Sequence, residues 1–156
     1  MTLKSVHMMN LAEQSELDSQ CPERKVGASI EFFTAVGGRV IGMACNRPNA
    51  DESNSNHAEA ILIQYVESMG LSLSGAVLYV TCRPCARCTD MLVGKGLKAI
   101  YYRDTQPAME HLKKLRDDGV HLNGWWIKGQ LPVPLEQVQQ TWAARWQESG
   151  DEESFF

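Results

Sequence analysis

The chain lacks any apolar run of about 18 residues, the length a membrane-spanning helix needs, and its start, Met1-Thr2-Leu3-Lys4-Ser5-Val6-His7, has no apolar signal core. A cytoplasmic protein with no membrane partner is expected. Positive charge is also short: 15 Lys and Arg stand against 19 Asp and Glu, a net charge of -4. Proteins that grip RNA or DNA usually carry a basic patch, so this balance disfavours nucleic acid and favours a small ligand. No internal repeat or low-complexity linker interrupts the 156 residues, and at 44% hydrophobic they suffice for one core, so a single domain over 1–156 is expected. Cysteine is sparing. Five is an odd count, which suits reduced thiols in a reducing compartment better than a disulfide framework.

What is present is His57-Ala58-Glu59 followed by Pro84-Cys85-Ala86-Arg87-Cys88. An imidazole and two thiolates suit zinc, and three protein ligands leave the fourth tetrahedral position to water, whereas structural sites normally fill all four with protein. Cys85 and Cys88, at i and i+3, would share the first turn of a helix with Pro84 just before it, where helix amides favour thiolate over thiol. His57 would open another helix. Glu59, two residues on, can stand beside the metal without ligating it, take a proton from water there and pass it to a leaving group. Standing alone, C-x-x-C is more often a redox pair, half a zinc finger or two buried small residues. Here His-x-Glu and Pro-Cys-x-x-Cys, with about 25 residues between them, match the signature of the zinc deaminases.

The chain thus resembles the cytidine and deoxycytidylate deaminase superfamily, from about Cys21 to Leu122. Cys21-Pro22-Glu23-Arg24-Lys25-Val26-Gly27-Ala28 is similar to the opening of deoxycytidylate deaminases, and Gly75 to Thr81, running into Cys82-Arg83-Pro84-Cys85, to their central strand and metal turn. Gly96 to Tyr102 resembles the strand that follows. The resemblance implies one zinc per chain on His57, Cys85 and Cys88, with Glu59 as proton carrier. It implies hydrolytic loss of ammonia from an amino-bearing ring carbon, a substrate-binding role for Asn46 and Ala58, and a homo-oligomer. Two departures bear on the substrate. The segment from Asn46 to His57 is short and lacks the additional Cys and His of many deoxycytidylate deaminases, looking instead like bacterial tRNA adenosine deaminases, and Ile61 stands where many deoxycytidylate deaminases have Asn.

Periodicity and punctuation predict the order β β α β α β α β after a first helix from Leu3 to about Ser19, with Val6, Met9 and Leu17 apolar and Pro22 as its end. Strands are expected over Lys25–Phe33, Arg39–Cys45, Val77–Thr81, Ala99–Tyr102 and Val120–Asn123. Helices are expected over Ala58–Met69, Cys85–Val93, Ala108–Asp117 and about 135–149, before a frayed acidic tail, 150–156. Crossovers of this length call for a three-layer α/β/α sandwich around a five-stranded mixed sheet, the cytidine deaminase-like fold. His57 and Cys85 would then start neighbouring helices after adjacent strands, with Asn46 facing the same cavity.

A free pyrimidine nucleotide, dCMP above all, is the expected substrate, with Arg24, Lys25 and Arg47 as the cations nearest the pocket segments for a 5′-phosphate. Adenosine or cytidine within tRNA or single-stranded nucleic acid is the alternative, as is a free base or nucleoside. A closed structural zinc module with Cys82 as fourth ligand would leave Glu59 without a task. Cys82 is expected to pack or support the site, and His7, His111 and His121 to lie apart from it. Trp142 and Trp146 are expected in core or oligomer contacts.

Overall fold

A computed structural model describes residues 3–22, 24–48, 56–82, 84–103 and 112–123. In chain order the elements are α1 (Leu3–Leu17), β1 (Gly27–Phe33), β2 (Arg39–Cys45), α2 (Ala58–Ser68), β3 (Val77–Val80), α3 (Ala86–Leu92), β4 (Ala99–Tyr102), α4 (Lys113–Asp117) and β5 (His121–Asn123). The helix expected over 135–149, the tail 150–156, His111, Trp142 and Trp146 lie outside the described residues.

The five strands form one mixed sheet in the order β2-β1-β3-β4-β5. β1 is antiparallel to β2 and β3, while β3, β4 and β5 run parallel. The β1–β2 hairpin closes where expected, with the Gly37 amide bonded to the Thr34 carbonyl at 2.9 Å and Gly37 at φ 87, a conformation open to glycine at little cost. Alternation along the strands divides the interior in two. Ala28, Ile30 and Phe32 of β1 join Leu78, Val80, Ile100 and Tyr102 under Leu62, Ile63 and Val66 of α2, Leu92 of α3 and Leu115 of α4. The opposite face receives α1, whose Met8, Met9 and Ala12 pack on Tyr79. Helices therefore lie on both faces, as the crossover lengths require.

β2 and β3 are not adjacent, contrary to expectation: β1 lies between them. Their C-terminal ends still meet at one edge of the sheet, because antiparallel β1 pairs Gly27 with Cys45 and Ala28 with Val80, and the Thr81 amide bonds the Gly27 carbonyl at 3.0 Å. Gly27 is the hinge of that edge. A Cβ there would run into the Ala12 carbonyl oxygen and the Glu16 amide nitrogen of α1, both backbone atoms that cannot swing aside. Gly27→Ala is therefore expected to cost about 1–3 kcal/mol or more, read as a fall of several degrees in thermal midpoint. An unchanged midpoint would refute the close approach.

α1 stops at Leu17, well before Pro22, and Leu17 is 78% exposed, not inward as its apolar character suggested. The Asp18 and Ser19 amides bond back to the Ser15 and Glu16 carbonyls, tightening the last turn. That end is clamped from the sheet by Arg103, just past β4. Its Nη1 donates to Glu13 Oε1 at 3.1 Å and Glu16 Oε2 at 2.8 Å, and Nη2 to Glu16 Oε1 at 2.9 Å.

Candidate active site

Each metal-type side chain stands at the start of a helix, His57 and Cys85 as N-caps and Cys88 in the first turn. His57 is the N-cap of α2, with φ -73 and ψ 146. The chain reaches it from β2 through a neck closed by the Arg47 amide on the Asn56 carbonyl, 2.9 Å, and Asn56 Nδ2 on the Arg47 carbonyl, 2.7 Å. Cys85 is the N-cap of α3, so the helix starts at Ala86, one residue later than expected, with Pro84 just before the cap. The thiol does what a capping oxygen would: Sγ accepts from the Cys88 amide at 3.5 Å.

That capping brings the ligands together. Cys88 Sγ lies 3.4 Å and Cys85 Sγ 3.7 Å from His57 Nδ1, and the three ligand atoms fall within 4.8 Å of one another. A tetrahedral ion with bonds of about 2.3 Å to sulfur and 2.0 Å to nitrogen needs N···S separations of about 3.5 Å. The donor set fits zinc, through Nδ1 of the imidazole. Neither Cys82 nor a carboxylate belongs to this group of three, the one such cluster among the described residues.

The Cys85 thiol is lowered to about 4: the hydrogen bond with Cys88 contributes most, and the Cys88 amide and His57 add to it against the opposing effect of burial. Cys85 is thus a thiolate at neutral pH. Glu59, in the first turn of α2, is 4% exposed. Burial pushes its carboxyl above the ordinary carboxylate value, partly offset by its own backbone amide and His57. Such a group is a stronger base than a solvated carboxylate, as a proton carrier near neutral pH should be.

A cavity of about 270 Å³ opens over these groups, lined by Arg24, Val26, Asn46, His57, Ala58, Glu59, Cys82 and Cys85. The expected site residues His57, Ala58, Glu59, Cys85, Asn46 and Arg24 therefore meet at one place, and Cys88 lies beneath it. Lys25 is not in the lining, and Arg47 faces a separate cavity with Tyr65 and Met43. Sequence reasoning passed over Val26, and it left open whether Cys82 packed in the core or supported the site. Both line the cavity because the edge formed by β1 and the end of β3 closes it, a pairing no local signal announces. His7 and His121 are exposed, away from the cluster.

Residues 3–104 match the family model of the cytidine and deoxycytidylate deaminase zinc-binding region. The chain belongs to that family. It is 29% identical over 134 residues to ComE operon protein 2 of Bacillus subtilis (strain 168), covering 79% of this chain and 65% of that protein. It is 31% identical over 104 residues to the tRNA-specific adenosine deaminase of Agrobacterium fabrum, covering 65% and 66%. Among solved structures, the dCMP deaminase of the cyanophage S-TIM5 in apo form aligns with a TM-score of 0.61 and 25% identity, over 80% of this chain and 99% of its own. The chain spans no more than about two thirds of the length of the curated relatives it matches, 65%, 24% and 66% for three of them. In this zinc-binding family, His57, Cys85 and Cys88 are the side chains placed to hold a metal ion among the described residues.

Proposed function

We propose that the protein is a hydrolytic deaminase of a free pyrimidine nucleotide, converting dCMP and water to dUMP and ammonia. The observation that carries this is a buried Glu59 lining the same cavity as His57 and Cys85, which with Cys88 are placed to hold a metal ion through three protein ligands. Zinc bound there supplies the Lewis acidity that makes water a nucleophile near neutral pH. Glu59 would take one proton from that water and give it to the ring nitrogen as the C–O bond forms, then take the second from the new hydroxyl and give it to the amino group, so that the carbonyl forms, the C–N bond breaks and ammonia leaves neutral. Ala58 and Asn46 bound the space beside Glu59 and orient the ring. The net charge of -4, Arg24 in the lining and the likeness to a phage dCMP deaminase support a nucleotide.

Ammonia release from cytidine, deoxycytidine, dCMP, dCTP, cytosine, adenosine and guanine tests the proposal, with dCMP expected to be turned over best. Loss of one charge-assisted phosphate contact costs about tenfold or more in kcat/KM, so Arg24→Ala is expected to penalise dCMP by that factor and leave deoxycytidine nearly unchanged. Lys25→Ala and Arg47→Ala, outside the lining, should do less. The short link from Asn46 to His57 and the identity to a tRNA-specific adenosine deaminase favour a second reading, deamination within RNA. Turnover of a stem-loop RNA that falls steeply with salt, with no turnover of free nucleotides, would establish that reading and displace the first.

A further inference from the structure

Asn46 is held from three sides. Oδ1 lies 2.9 Å from the Val26 amide nitrogen and 2.6 Å from Ser19 Oγ, and Nδ2 lies 2.7 Å from the Arg24 carbonyl oxygen. A backbone N–H only donates and a carbonyl only accepts, so these neighbours dictate which end of the amide is oxygen. Both lone pairs of Oδ1 are then engaged, and one of the two Nδ2 hydrogens is given to Arg24. What remains on this cavity-lining residue is one N–H donor.

Ser19 completes the arrangement. It is 3% exposed, directs its hydroxyl hydrogen at Asn46 Oδ1, with the Asn46 carbonyl farther off at 3.2 Å, and accepts from the Cys21 amide at 3.3 Å. Its own amide bonds the Glu16 carbonyl at 3.1 Å, and the Glu16 carboxylate is one of the two clamped by Arg103. The hydroxyl therefore sits at a point fixed by both α1 and the end of β4.

We propose that Ser19 is a positioning residue, holding Asn46 as a donor-only contact for an acceptor oxygen of the nucleotide. This rests on the deaminase reading above. A contact made equally in ground and transition states appears in KM, and one neutral hydrogen bond corresponds to roughly a two- to tenfold change, so Ser19→Ala is expected to raise KM for dCMP by that factor with kcat and zinc content little changed. Ser19→Thr, which keeps the hydroxyl, should return KM toward the original. In an Asn46→Ala background, Ser19→Ala should add nothing, because the group it positions is gone. Equal KM increases in both backgrounds would overturn the proposal. If no substrate is turned over, the deaminase reading falls by itself. The positioning is then decided by the Asn46 side-chain amide signals in a nitrogen-15 spectrum, identified by their loss in Asn46→Ala. A shift of those signals in Ser19→Ala supports the hydrogen bond, and unchanged signals overturn it.

Discussion

Glu59→Gln is expected to keep its zinc and lose deamination by roughly 10²- to 10⁴-fold, the contribution a positioned general acid–base group makes. The amide has the shape of the carboxyl but cannot shuttle a proton. Burial makes the test a sharp one. At 4% exposure the carboxylate is largely screened from bulk buffer, and the raised pKa that burial brings makes Glu59, the carboxylate in the cavity lining, a stronger base than a solvated one. Kinetics on dCMP beside metal analysis of the same preparation provides the check. Full activity in Glu59→Gln would remove Glu59 from the reaction, and loss of metal would mean that it ligates.

Cys88→Ser is expected to lose both zinc and activity, and to unfold at a lower temperature than the zinc-loaded parent. Cys88 is fully buried, with its Sγ 3.4 Å from His57 Nδ1, so its removal leaves two ligands where the ion needs at least three from protein. Metal that binds only the folded chain stabilises it by mass action, and that increment disappears with the site. Cys85→Ser should act the same way and also weaken the start of α3, since its thiolate caps the Cys88 amide. Cys82→Ser separates an open site from a closed one. Cys82 lines the cavity without joining the ligand group, so zinc content should not change. A Cys82 variant that loses zinc would point to a closed, structural module.

The candidate metal ligands were legible from the sequence because His-x-Glu together with Pro-Cys-x-x-Cys resembles the zinc deaminase signature; in the structure Cys85 and Cys88 are a cap and its third helical residue, and His57 and Glu59 share one helical turn. The same holds for the elements, whose periodicity and glycine stops gave β2 and β4 residue for residue and α2, β3 and α3 to within about a residue or two at either end. Local signals failed where a long-range partner overrode them. Lys25 and Val26 read as the start of β1, yet Asn46 Oδ1 takes the Val26 amide and Nδ2 the Arg24 carbonyl, drawing that stretch out of the strand as a wall of the cavity. α1 ends early for a related reason: Ser19 faces Asn46 from across the sheet edge, 27 residues away in sequence.

The candidate donor set and the carboxylate beside it were thus legible from residue types and the signature they resemble, whereas the meeting of His57 on α2 with Cys85 and Cys88 on α3 is tertiary. Which further groups share that space was decided by the tertiary structure. The antiparallel insertion of β1 between β2 and β3 brings Asn46, Gly27 and Thr81 to one edge, places Arg24 in the lining and leaves Lys25 and Arg47 out of it. Strand order depends on the burial of whole faces, and no spacing of residues along the chain encodes it.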